Sequence, residues 1–225
     1  MKSIVICALA LLCSCMRGEN VKTETIKKDT AIDGLILTDK FEWFDQERFD
    51  KRPDKNDVVL SEFLPNGTRI ELQDFSADSM LKTLNEYKYY LAMPKDSYFM
   101  LEKVYYPSGR IQAKGWEYID DFKTGVWYEF DEDGNLTATV DYDKPFTYTF
   151  KRVLKFCKRH NIKVERGNTG EEMGGPTTRI GRKVDGDKSV WYIQCPKSRD
   201  LLEIIDLDGK TGKIIRRESM KLIQQ

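Results

Sequence analysis

The chain has 225 residues, with 37 Lys and Arg against 37 Asp and Glu and a single histidine. That length admits one or two domains, and a composition 40% hydrophobic and 12% aromatic suffices for a core. The balanced charge points away from nucleic acid, no basic block marks an anionic membrane surface, and one histidine excludes any zinc site that needs two.

Met1-Lys2-Ser3 is a short positive start. Ile4 to Leu12 follows as an apolar run, too short to span a bilayer as a helix. It ends in Leu12-Cys13-Ser14-Cys15, which resembles a bacterial lipobox. By that resemblance residues 1–15 are a lipoprotein signal peptide. Cys15 is then the lipidated first residue of the mature protein, and the address is the bacterial cell envelope, at the outer membrane. The membrane is a partner through that lipid, whose diacyl portion supplies the second chain that a single acyl anchor lacks. The alternative is an ordinary signal peptide with stray cysteines. Residues 16–30 are polar, with Lys22, Lys27 and Lys28 among Glu and Thr, and read as a tether.

From residue 31 to 145 the pattern is β-rich. Leu35-Ile36-Leu37 starts a strand, and Phe41, Trp43 and Asp45 continue it with period two. Phe44 to Lys55, heavily charged and containing Pro53, reads as a loop. Val58-Val59-Leu60 and Phe63 make a strand that Pro65-Asn66-Gly67 turns into Ile70-Glu71-Leu72. In Asp78 to Met93, Met80, Leu81, Leu84, Tyr87 and Leu91 fall at helical spacing. Ser76 or Asp78 is available as cap and Pro94 as stop, so one inserted helix is expected across an open end or face of the sheet.

Lys103 to Asp143 holds one pattern twice. Tyr105-Tyr106-Pro107-Ser108-Gly109-Arg110-Ile111 returns as Tyr128-Glu129-Phe130-Asp131-Glu132-Asp133-Gly134-Asn135-Leu136. Asp133-Gly134 is a strong hairpin signal and Ser108-Gly109 a weaker one, because glycine takes positive φ without a Cβ clash. Trp127 and Glu129 point to one side of a strand, and Val126, Tyr128 and Phe130 to the other. Lys123-Thr124-Gly125 is expected to make a second kind of turn, for a meander of about four strands. These residues, with Gly115 and Gly125-Val126-Trp127, resemble the bacterial variant of the MORN repeat. Phe63 to Ile70 is an earlier echo with one extra residue between glycine and isoleucine. The resemblance implies a binding or scaffolding surface towards proteins or membranes and no catalytic residues.

Pro145 marks a boundary, and residues 146–225 are expected to form a small α+β domain. Phe146 to Asn161 reads as a helix with an apolar stripe of Phe150, Val153, Leu154, Phe156 and Cys157, and basic residues elsewhere. Gly167 to Gly175 reads as a loop, and Ser189 to Cys195 and Leu201 to Leu207 as strands. Asp208-Gly209-Lys210-Thr211-Gly212 turns the last into Lys213-Ile214-Ile215. A helix followed by strands that end in this hairpin resembles a PepSY-type domain, a family proposed to bind peptides or restrain proteases in the envelope. That resemblance carries no catalytic set.

Cys157 and Cys195 remain once the signal peptide is removed and Cys15 is lipidated. An exported chain permits their pairing as a disulfide, and two buried thiols are the alternative. Cys157 and His160 suggest a cysteine hydrolase, without an identifiable orienting group or oxyanion site. Asp131-x-Asp133-Gly134 and Asp206-x-Asp208-Gly209 look like halves of a calcium loop, yet Val140 and Ile215 stand where the closing glutamate belongs. Both read as turn aspartates. Tyr106, Trp116, Tyr118, Trp127 and Tyr128 are the candidate binding face, with core packing as the rival.

The chain is thus expected to be a β-rich α+β protein with no cofactor, no metal and no enzymatic activity. Its expected role is a cell-envelope binding module for a protein or peptide. The alternatives are a protease inhibitor or immunity-type protein, and then a Cys/His hydrolase.

Overall fold

The computed structural model describes residues 30–32, 34–78, 86–118, 122–166 and 177–221. The lipobox with Cys15, nearly all of the tether and the whole of the glycine-rich loop from Gly167 to Gly175 lie outside the described residues.

The fold is β-rich and antiparallel. A seven-stranded sheet has the order β3-β4-β5-β6-β7-β8-β9, so every strand pairs with its neighbour in sequence. Its strands are β3 (Val59–Phe63), β4 (Arg69–Asp74), β5 (Lys88–Met93), β6 (Phe99–Tyr105), β7 (Ile111–Tyr118), β8 (Phe122–Phe130) and β9 (Leu136–Asp141). Ahead of it lie the small hairpin β1 (Thr30–Ile32) and β2 (Leu35–Leu37) and the one-turn helix α1 (Gln46–Phe49). Behind it, helix α2 (Phe150–Arg159) precedes a four-stranded sheet: β10 (Arg179–Asp185), β11 (Lys188–Ser198), β12 (Leu201–Asp208) and β13 (Ile214–Lys221).

The tandem pattern is a repeated turn. In one copy the Tyr106 N–H donates to the Arg110 carbonyl and the Gly109 N–H to the Tyr106 carbonyl. In the next, Asp131, Asn135 and Gly134 repeat both bonds. Leu64, Thr68 and Gly67 make them a third time, so the earlier echo has the same turn. Gly67, Gly109 and Gly134 have φ of 82°, 86° and 89°, where a Cβ is strained. The copies differ one step later. A β-bulge after the turn brings Ile111 opposite Tyr105 and Leu136 opposite Phe130, whereas the first hairpin pairs Phe63 with Arg69 and Glu62 with Ile70 without a bulge. The extra residue before Ile70 does the bulge's work, and Ile70 reaches the core.

Three expectations about local structure need correction. Residues 88–93 of the expected helix are strand β5, paired on both sides by β4 and β6. Residues 79–85 of that expectation lie outside the described residues. Over residues 88–93 two ladders outweigh the helical spacing of Tyr87 and Leu91, in a Tyr-rich, strand-favouring run. Lys123-Thr124-Gly125 is not a turn but lies inside β8, where Gly125 has φ of 62° and the pairing with β7 slips. The expected loop after Phe44 contains α1, capped by the Asp45 side chain accepting from the Arg48 N–H.

Two hydrophobic clusters line the fold. The first joins Leu37, Phe44 and Phe49 to Ile70, Leu72, Leu101, Tyr105, Ile111, Trp116, Val126, Tyr128 and Phe130. The N-terminal segment thereby covers one face of the meander. In the second, Val153, Phe156 and Cys157 of α2 pack on Ile180, Trp191, Ile193, Ile205 and Leu207, and Tyr118 and Phe122 of the larger sheet join them. Phe99 packs against both clusters. Arg182 fastens the two sheets. Its guanidinium pairs with Asp143 at 2.7 Å, donates to the Lys123 carbonyl and lies 4.7 Å from the ring centroids of Phe122 and Phe146.

Candidate functional site

Four of the five candidate face residues are core. Trp116 and Trp127 are fully buried, and Tyr118 and Tyr128 nearly so. Alternation across β7 and β8 sends Trp116, Tyr118 and Tyr128 into the two clusters. Trp127 points the other way and is sealed by Gly115, Tyr142 and Lys123, whose ammonium lies 4.0 Å from the ring centroid. These four therefore offer no surface, and core packing is their role. Tyr106 alone is part-exposed, and its hydroxyl donates to the Phe130 carbonyl at 2.9 Å.

Other aromatics form the exposed cluster. They sit along the sheet rim made by the turns at Gly109 and Gly134 and by the approach to β5. Trp43 is 57% exposed and Phe41 38%. Their rings meet edge to face at 5.4 Å, and the Arg110 guanidinium lies 5.3 Å from the Trp43 centroid. Tyr87 meets Tyr106 at 6.4 Å. Period-two alternation creates the cluster: Phe44 goes into the core, so Trp43 goes out. The segment is held by backbone, with the Phe44 N–H on the Gly109 carbonyl and the Ile111 N–H on the Glu42 carbonyl. The period in Phe41 and Trp43 was visible in sequence, but the side facing out was not.

Beneath this rim, charges lock the segment down. Lys114 is 1% exposed, and its ammonium donates to Glu42 at 2.6 Å and to the Lys40 carbonyl. Lys103 pairs with the other Glu42 oxygen. Burial pushes the Glu42 carboxyl up, but the charges and hydrogen bonds of Lys103 and Lys114 outweigh it and hold the group below its ordinary range. Lys88 repeats the device, binding Asp74 at 2.7 Å and Gln46 at 2.8 Å. A rigid rim with an exposed indole beside a guanidinium suits contact with an aromatic or aliphatic side chain and a carbonyl of a partner.

A cavity of about 400 Å³ lies between the clusters, where Ile32 faces Phe99, Trp116, Phe150 and Leu154. The buried Trp116 Nε1 has no hydrogen-bond partner among the described residues.

Chemistry elsewhere is subdued. Cys157 and Cys195 are free and buried, not joined as a disulfide. Burial pushes the Cys157 thiol up to about 12, away from the thiolate a hydrolase needs. His160 ends α2 with its ring 4.2 Å from that of Phe156. Asp131 accepts from the Asp133 and Asn135 N–H groups, and Asp208 from those of Lys210 and Thr211, as turn aspartates do. Among the described residues no group of three His, Cys, Asp or Glu side chains is disposed to hold a metal ion. No described helix is long and apolar enough to cross a membrane.

No protein-family model, curated protein or solved structure matches the chain.

Proposed function

We propose that this chain is a bacterial cell-envelope lipoprotein, anchored through lipid on Cys15, whose MORN-like meander binds a protein or peptide without catalysing a reaction. The exposed Trp43, edge to face with Phe41 and beside Arg110 on a rim locked by part-buried ion pairs, carries the reading. Tryptophan and arginine are the residues that most often dominate binding energy at interfaces. The triple turn supports the repeat resemblance, and the buried, protonated Cys157 weighs against the hydrolase alternative.

The inhibitor or immunity-type alternative rests on a different feature. Strand β13 is a sheet edge exposed along its length, with Ile214, Ile215 and Met220 outward, and such an edge accepts an added strand from another protein.

The test is photo-crosslinking of the full lipoprotein in its native envelope, with the crosslinker beside Trp43. A specific adduct that Trp43→Ala abolishes and Trp43→Phe partly restores is expected. An adduct indifferent to Trp43 and lost in Ile215→Lys moves the contact to β13 and favours the inhibitor reading. Metabolic labelling with a palmitate analogue checks the anchor, and Cys15→Ala must abolish it.

A further inference from the structure

Helix α2 carries Lys151, Arg152, Lys155, Lys158 and Arg159, all exposed. With 3.6 residues per turn these five cations occupy an arc of roughly 120°, opposite the buried stripe of Val153, Phe156 and Cys157. Arg152, Lys155, Lys158 and Arg159 line, with Tyr148, an open groove of about 700 Å³. Elsewhere the protein pairs its charges freely, through Arg48–Glu62, Lys88–Asp74 and Arg217–Glu203 among others. None of these five cations has a carboxylate partner among the described residues. From Pro145 to Val164 the sequence has no acid at all. Zero net charge over the whole chain conceals this local excess, and the expectation of no basic block is thereby corrected.

The second observation is where the chain arrives. Ile32, in the first described strand, lines the same cavity as Phe150, Lys151 and Leu154, so the N-terminal segment enters the fold beside the flank of α2. Fourteen residues lie between Cys15 and Thr30. However they run, they span at most roughly 50 Å.

We infer that the basic face of α2 is a membrane-docking surface that binds the phosphate headgroups of anionic phospholipids. The inference rests on the lipid-anchor reading only for proximity, because the cations and the groove are present whether or not Cys15 is acylated. Juxtamembrane clusters of four or more cations are drawn to anionic leaflets, and a lipid chain joined to a basic patch holds a protein more firmly than either alone. Docking on α2 lays the helix along the membrane and fixes the orientation of both sheets.

The experiment uses the chain from Met16 to Gln225 without lipid. This chain retains all of the described residues, which lie within 30–221. Co-sedimentation is measured with vesicles of pure phosphatidylcholine and with vesicles containing phosphatidylglycerol. Binding to the anionic vesicles alone, lost in high salt, is expected. Lys151→Gln, Lys155→Gln and Lys158→Gln together weaken it on the order of 100-fold, arginine at the same positions restores it, and Lys51→Gln leaves it unchanged. An unchanged melting temperature confirms that the variants fold. Wild-type protein that ignores anionic vesicles, or a triple variant that binds as well, overturns the inference. Displacement by millimolar glycerol phosphate shows a site for a free phosphate ester instead, and binding to polyglutamate but not to vesicles shows an acidic protein partner; either also overturns it. Palmitate labelling at Cys15 is read separately, so failure of the anchor and failure of the docking face are distinguishable.

Discussion

The indole of Trp127 occupies the space that a side chain at Gly115 would need. A Cβ at residue 115 would lie 2.2–2.3 Å from three ring atoms, and the Trp127 Nε1–H donates to the carbonyl of Trp116 at 2.9 Å. The slip between β7 and β8 accommodates the ring, since Gly115 faces the bulged stretch from Gly125 to Trp127. Alanine at 115 cannot enter without expelling the indole. Gly115→Ala is expected to cost about 3 kcal/mol and to lower the melting temperature by roughly 6–12 °C, followed by urea denaturation and Trp fluorescence. Wild-type stability in this variant would mean that the ring shifts freely. Gly181 under Tyr192 repeats the arrangement in the second sheet, with a Cβ 2.0 Å from the phenol ring.

Arg182 joins the two sheets through shape as much as charge. Its planar group is in contact range of three aromatic rings and reaches Asp143 and the Lys123 carbonyl at once. Lysine supplies the charge without the plane or the fork. Arg182→Lys is therefore expected to lose about 2 kcal/mol, nearly as much as Arg182→Ala. Full rescue by lysine in chemical denaturation would reduce the contact to simple charge pairing.

Acid sensitivity follows from Glu42 and Asp74. Asp74, like Glu42, is pushed up by burial and pulled further down by hydrogen bonds from Lys88 and Ser76 and by the Lys88 charge. A carboxyl whose folded value is depressed adds stability above its unfolded value and loses it as pH falls through the folded one. The stability these groups contribute is thus present at neutral pH and is lost below their ordinary values of 4.5 and 3.8. Glu42→Gln leaves the buried ammonium of Lys114 without its counter-charge and is expected to cost about 3 kcal/mol at pH 7. Melting curves from pH 7 to 3 should fall steeply for wild type and less so for Glu42→Gln with Asp74→Asn. Parallel curves would place the acid sensitivity elsewhere.

Cys157 is expected to resist a thiol reagent at pH 8 in the folded protein and to react fully in urea, because burial both hides the thiol and keeps it protonated. Cys195, also buried and also raised, should behave alike. Rapid labelling of native Cys157 would revive the hydrolase reading.

The strands and turns were legible wherever a chemical reason was local. Positive-φ glycines at 109 and 134 announced hairpins, and alternation from Val126 to Phe130 sorted core from opposite face. Strand β5 was not legible, because its identity comes from ladders to β4 and β6 that no local spacing reveals. The aromatic face was misplaced for a related reason. Density of Trp and Tyr shows that large rings must be buried somewhere, but exposure depends on what covers each face. Phe44 and Phe49 cover the side that holds Trp116, and Lys123 and Tyr142 cover Trp127. The basic arc of α2 was readable as five cations, yet their isolation from carboxylates is a property of the folded neighbourhood.

Because every strand of both sheets pairs only with its neighbour along the chain, no strand must wait for a distant partner during refolding. Loop closure is short at almost every step, and each new hairpin adds to an edge that already exists. The same arrangement leaves the length of the array unconstrained by topology: a further hairpin with the Gly109-type turn lengthens the meander at a connection without breaking any ladder beyond its own insertion point.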